Sequence, residues 1–204
     1  MAVLITTGYN ETNAQRMAEY IMCIQRNVKS ALFREIIMLI EGECKHFENL
    51  GIKLVRIGWR QTYGDMFNLA NQYTDPYVVV ANGDIFFDNT LKLLDKHDMS
   101  NRFYAISRKD LQSDERLSTP HNPCRSQDAW IFKPPLRKFF SDIPVAKPGC
   151  DQRVSWEAKN AGLLVRNPCF SINAIHMHRS KIRSYSWSRD RLPGPYLELP
   201  PCTL

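Results

Sequence analysis

No part of this chain approaches the ~20 consecutive apolar residues that a membrane-spanning helix requires, so no span is expected. A basic leader and a small-residue cleavage site are also missing, and Met1-Ala2-Val3-Leu4-Ile5 reads as a strand rather than a signal peptide. Six cysteines, at 23, 44, 124, 150, 169 and 202, form no Cys-x-x-Cys pair. Without an export signal they read as reduced thiols of a cytoplasmic protein. Internal repeats and low-complexity tracts are lacking as well. What is present is ordinary for a globular protein: 204 residues, 44% hydrophobic and 24% charged, enough for one domain of moderate size with a real core.

The formal net charge of +6 and a pI near 9.0 favour polyanionic partners. They do not choose among nucleic acid, a nucleotide and a membrane surface. Much of the excess sits late, where Arg179, Lys181, Arg183, Arg189 and Arg191 are interleaved with Tyr185 and Trp187. That segment suits a diphosphate, and equally a solvated basic face.

Strand and helix patterns alternate through the first ninety residues. Strands are expected at Val3–Thr7, Glu35–Ile40, Lys53–Ile57 and Val78–Ala81. Helices are expected from about Asn13 to Lys29, with Asn10 or Thr12 as cap, over Cys44–Leu50 with Gly51 just past its end, and over Asp65–Gln72. Such alternation predicts an α/β fold with a mixed, mostly parallel sheet flanked by crossover helices. From about Arg102 the texture changes. Phe103–Ile106 is strand-like, Ser107–Ser126 reads as a polar loop, and Ala129–Phe132 is a strand cut off by Lys133-Pro134-Pro135. Asp151–Ala161 should be a helix with an acid in its first turn, ended by Gly162 and followed by a strand at Leu163-Leu164-Val165. Residues 1–192 read as one domain, with a nucleotide-binding half (1–100) and an acceptor and catalytic half (101–192). Residues 193–204, rich in proline, read as a tail or linker beyond which further domains can follow.

The most informative segment is Tyr77-Val78-Val79-Val80-Ala81-Asn82-Gly83-Asp84-Ile85-Phe86-Phe87-Asp88. A β-branched apolar run marks a strand buried on both faces, and it ends at a carboxylate. An acid at the C-terminal tip of such a strand lies where open α/β sheets bind ligands, and its oxygens suit Mn²⁺ or Mg²⁺. The same letters also fit a strand followed by an Asn-Gly turn. Three further polar points follow. Asp128 precedes a strand and doubles as a cap or surface acid, and Asp151 opens a helix and doubles as an N-cap. His176 and His178 point the same way if extended, yet a core histidine beside an exposed one fits that pattern too.

Together these stretches resemble the GT-A class of nucleotide-sugar glycosyltransferases over nearly the whole chain. Within that class they are similar to the N-terminal domain of chlorella-virus enzymes that decorate a capsid protein, which would place the chain in host cytoplasm. Asn82-Gly83-Asp84 stands where the class carries Asp-x-Asp, and Met66-Phe67-Asn68-Leu69-Ala70-Asn71 matches the helix that often precedes it. The resemblance implies a metal-dependent transferase moving a hexose or deoxyhexose from a UDP-sugar to a glycan or glycoprotein acceptor. Mn²⁺ (or Mg²⁺) would be bound by Asp84 with His176 or His178, while Asn82 would reach only the ribose or a metal-bound water beside Gly83. Thr6, Thr7, Tyr9, Glu41, Arg60 and Tyr63 would surround base and ribose, with Tyr9 or Tyr63 stacked on uracil. Arg179 and its basic neighbours would close over the diphosphate. Asp151 would be the general base of an inverting transfer, and Asp128 would hold donor-sugar hydroxyls or, in a retaining enzyme, face the anomeric carbon. The residues leave two rivals open, an RNA-binding module and a non-catalytic nucleotide-sugar sensor. No RNA-binding signature is found, and acids at strand tips oppose a polyanion, so nucleic acid is not expected as a partner.

Overall fold

A computed structural model describes residues 1–120, 122–180, 186 and 188–204. Eleven strands are present among them: β1 (Ala2–Tyr9), β2 (Phe33–Glu41), β3 (Lys53–Ile57), β4 (Val78–Ala81), β5 (Ile85–Phe87), β6 (Arg102–Ile106), β7 (Arg108–Leu111), β8 (Leu117–Pro120), β9 (Ala129–Phe132), β10 (Leu164–Arg166) and β11 (Ala174–His176). The α-helices are α1 (Ala14–Lys29), α2 (Tyr63–Ala70) and α3 (Cys150–Asn160), with 3₁₀ segments at Lys45–Phe47 and Asn89–Lys96.

The main sheet runs β10-β6-β9-β4-β1-β2-β3 and is parallel except at β9, which opposes both β4 and β6. Its central strands are apolar on both faces, as a sheet covered on both sides demands. Val3, Ile5, Val78, Val80, Phe103, Trp130 and Phe132 pack with α2 and α3 on one face. Leu4, Val79, Tyr104, Ile106 and Ile131 pack on the other with β5 and the 89–96 turn. Met17 and Ile24 of α1 cover Met38 and Ile40 on that second face. A smaller sheet, β5-β11-β7-β8, lies beyond it.

Several boundaries differ from expectation for local reasons. Asn13 caps α1, its side chain accepting from the Arg16 amide at 3.0 Å, so neither Asn10 nor Thr12 is the cap. Helix α2 begins two residues early because Thr62 and Asp65 form a reciprocal capping box. The Cys44–Leu50 helix is only a 3₁₀ turn. The expected polar loop 107–126 contains the β7–β8 hairpin, where Arg108 and Asp110 face one way in alternation. Residues 193–204 run back along the domain, with Leu199 buried and its amide bonded to the Cys124 carbonyl. All six cysteines are free thiols, and no helix of the described residues is long and apolar enough to cross a membrane.

One buried amide links α1 to the smaller sheet. Asn27, 1% exposed, donates to the Ile85 carbonyl at 2.9 Å and accepts from the Phe87 amide at 3.1 Å. Replacing it removes the partner of two buried backbone groups, each costly to leave unpaired. Asn27→Ala is expected to lower unfolding stability by about 2–4 kcal/mol in urea titrations; a loss under ~0.5 kcal/mol would contradict this bracing role.

Candidate active site

The parallel strands β1, β2 and β4 end at one edge of the main sheet, and antiparallel β9 begins there. This edge opens into a cleft of about 890 Å³, within the size range of ligand pockets. Thr7 and Tyr9 reach it from β1, Glu41 from β2, Arg60 from the loop after β3, and Asn82, Gly83 and Asp84 from the turn after β4. Asp128 enters ahead of β9, Asp151 from the first turn of α3, and His176 and His178 from β11 and just past it.

Three expected contributors are placed differently. Thr6 is buried on the face shared with Leu4 and does not line the cleft. Tyr63 touches the wall but is 0% exposed, packed edge-on against Trp130 at 4.6 Å and bonded to the Cys150 thiol, so no ring face is free for a base. Arg179 lies outside the cleft, held by the Gln112 carbonyl and Glu115. Of the basic and aromatic residues that follow it, Arg191 lines the cleft, while Lys181, Arg183, Tyr185 and Trp187 lie outside the described residues.

The floor is a run of alternating charge. Glu19 accepts from Arg16 at 2.8 Å, Arg16 pairs with Asp84, and Asp84 lies 3.1 Å from His176 Nε2. His176 Nδ1 lies 2.6 Å from Asp110, Arg108 stands 3.4 Å from Asp110, and Arg108 donates to Asp128 at 2.9 Å. Burial raises the Asp84 carboxyl pKa, but His176 and Arg16 outweigh it and hold the group well below the usual carboxylate range. For His176 burial works against the charge, while Asp84 and Asp110 prevail and lift its pKa to about 9. Sequence reasoning missed Arg16, Arg108 and Asp110. A signal for Arg16 existed: it shares one helical stripe with Tyr20, Cys23 and Asn27, a face otherwise turned inward.

The residues present fit a divalent cation, which would bind with release of the His176 proton. Carboxylate and imidazole donor atoms of Asp84, His176 and His178 all lie within 4.8 Å of one another. Asp110 at His176 Nδ1 is the carboxylate–histidine arrangement that turns the other ring nitrogen toward a metal. Nearby, the Asn82 side-chain oxygen is buried without a hydrogen-bond partner, its nitrogen being given to Asp128 at 2.8 Å. Two imidazoles with one carboxylate suit a first-row transition-metal dication better than Mg²⁺.

Asp128, at the end of this run, and Asp151 differ in setting. Both oxygens of Asp128 are engaged, one by Asn82 and the other by Arg108. Asp151 accepts from the Gln127 amide at 3.0 Å and follows Gly149, whose φ of 83° sets the tight entry to α3. Burial first, and then the Asp128 charge, push the Asp151 pKa up to about 7 against the pull of the Gln127 and Gln152 amides.

No family model matches the chain, and no curated protein matches it in sequence. Solved structures match it in fold. The mannosyltransferase PcManGT from Pyrobaculum calidifontis, in complex with GDP-Man and Mn²⁺, aligns at 14% identity with a TM-score of 0.54, over 90% of this chain and 58% of its own. S. aureus TarS 1-349 in complex with UDP aligns at 14% identity with a TM-score of 0.50, over 89% and 59%. The chain therefore spans less than two thirds of either protein. A 4-diphosphocytidyl-2C-methyl-D-erythritol synthase from Anaerococcus prevotii aligns over 92% of this chain and 94% of that one, with a TM-score of 0.47, too loose to argue from. The fold is thus GT-A-like and Rossmann-related, a mostly parallel seven-stranded sheet flanked by helices.

Gly83 lies hard against the end of β1. A Cβ there would stand 2.4 Å from the Thr7 carbonyl oxygen, a backbone atom with no room to yield, whereas one on Gly58 would meet nothing within 4 Å. Gly83→Ala should lose about 1–3 kcal/mol of stability through overpacking, with Gly58→Ala neutral in the same denaturation series. Equal behaviour of the two variants would refute the close-approach argument.

Proposed function

We propose that this chain is a glycosyltransferase that moves a sugar from a UDP-sugar to a hydroxyl of a glycan or glycoprotein acceptor, with inversion at the anomeric carbon. The observation that carries this reading is the meeting, in one cleft at the strand tips, of three clustered side chains with donor atoms suited to a cation and a carboxylate whose pKa is raised to about 7. The two fold relatives add support, since one was solved with GDP-Man and Mn²⁺ and the other with UDP.

Thr7, Tyr9, Glu41 and Arg60 end the strands on the side suited to base and ribose. Asp84, His176 and His178 would hold Mn²⁺, which when bound supplies Lewis-acid neutralisation of the departing diphosphate. Asp151 takes the proton of the acceptor hydroxyl as that oxygen bonds to the anomeric carbon. The bond from that carbon to the diphosphate oxygen breaks on the opposite face, releasing UDP. Asp128, with both oxygens already receiving hydrogen bonds, suits holding sugar hydroxyls better than receiving a proton. A general base is most effective when its pKa lies near the working pH, and Asp151 meets that condition while Asp84 does not.

Incubation with a panel of nucleotide sugars and Mn²⁺ tests the class: release of UDP, with sugar appearing on an acceptor or on water, is the expected result. Donor binding without any turnover would leave a sensor, and salt-sensitive RNA binding without nucleotide preference would leave a nucleic-acid module. Asp151→Asn is expected to lower transfer ~10²–10⁴-fold; near-normal transfer would remove Asp151 from the role. Because the base acts when ionised, kcat/KM should rise with pH through about 7. Asp128→Asn removes a like charge and should move that rising limb to lower pH. A limb that stays in place would show that the two acids are not coupled.

A further inference from the structure

The carboxylate suited to a divalent cation already has a cation of its own. Arg16, 5% exposed, stands on α1 with its guanidinium against the Asp84 oxygen that also faces His176 Nε2. It is held there from three other sides. Glu19 accepts at 2.8 Å, the Met177 carbonyl accepts at 2.9 Å, and the Tyr20 ring lies 4.4 Å from the guanidinium carbon. Met177 lies between His176 and His178, so Arg16 touches the stretch of chain that carries both imidazoles.

An ion entering among Asp84, His176 and His178 meets this fixed positive charge at the carboxylate it needs most. Either Arg16 withdraws from Asp84 or two cations share one oxygen, and both alternatives oppose binding. A nucleoside diphosphate changes the balance. Its phosphate oxygens supply extra anionic ligands for the ion and an alternative acceptor for the guanidinium.

We propose that Arg16 is an internal competitor for the divalent cation, neutralising Asp84 until a nucleoside diphosphate arrives, so that cation and donor load together. This rests on the metal-dependent transferase reading above. Linkage makes the coupling mutual: if UDP strengthens Mn²⁺ binding, Mn²⁺ strengthens UDP binding by the same factor. Removing Arg16 should therefore raise the affinity for the cation alone while shrinking the benefit from UDP. A role confined to holding the fold together would not move those two quantities in opposite directions.

The experiment is Mn²⁺ titration followed by electron paramagnetic resonance of the free ion, with and without saturating UDP. Wild type should bind Mn²⁺ weakly alone and at least ~10-fold more tightly with UDP. Arg16→Gln should bind Mn²⁺ alone ~10-fold more tightly than wild type, with the UDP enhancement reduced by a similar factor. Since Arg16→Gln leaves Glu19 and Asp84 without their partner, the double variant Arg16→Gln, Glu19→Gln is measured as well. It keeps the formal charge and is expected to follow the single variant. Mn²⁺ affinity no higher than wild type in folded variants overturns the competitor role. Asp84→Asn separates that failure from a failure of the metal reading. If Asp84→Asn abolishes Mn²⁺ binding while the Arg16 variants match wild type, only the competitor role falls. If Asp84→Asn binds Mn²⁺ as wild type does, both fall.

Discussion

The carboxylate of Asp84, buried between the Arg16 guanidinium and the His176 imidazole, is the interaction on which the rest of this molecule depends. A buried charge is tolerated only when paired, and removing one partner leaves the other at a large penalty. Here each partner is itself partnered, from Glu19 through Arg16, Asp84, His176, Asp110 and Arg108 to Asp128. These residues come from α1, the turn after β4, strands β7 and β11, and the approach to β9. The run of charges therefore ties the smaller sheet and α1 to the main sheet, and it does so beneath the cleft. Fold and site share one set of interactions.

Across the cleft the same residue type behaves in the opposite way. Asp84 is held ionised by two cations, whereas Asp151 has burial and a neighbouring carboxylate raising its pKa toward neutrality. Divergent environments push the pKa values of these two chemically identical groups apart. Asp128 completes the set, fixed by Asn82 and Arg108 in a position that leaves neither oxygen idle. The amide at position 82 suits that bond: its nitrogen donates to Asp128, which a carboxylate cannot do.

Much of the main sheet was legible because its central strands are apolar on both faces and its edge strands still carry short apolar runs. Strands β3, β4 and β9 fall at Lys53–Ile57, Val78–Ala81 and Ala129–Phe132, as the apolar runs predict. The β7–β8 hairpin was not legible. Its residues are polar, its strands are short, and what makes it a sheet is pairing with β11 more than sixty residues later. Tyr63 shows the converse failure. An aromatic residue after a strand tip resembles a stacking platform, and only the packing of α2 against Trp130 turns its ring inward.

The residue types at the chemically active points, the order in which they occur and the alternation that builds the sheet are all properties of the chain read end to end. Local periodicity encodes burial and therefore the strands, and Asp84 falls just past the end of one of them. Which charges meet was decided in three dimensions. Arg16 and Asp84 lie 68 positions apart, and Asp84 and His176 lie 92 apart. No local pattern specifies such pairs, because their energy exists only once sheet packing has brought the two groups together and excluded water from around them.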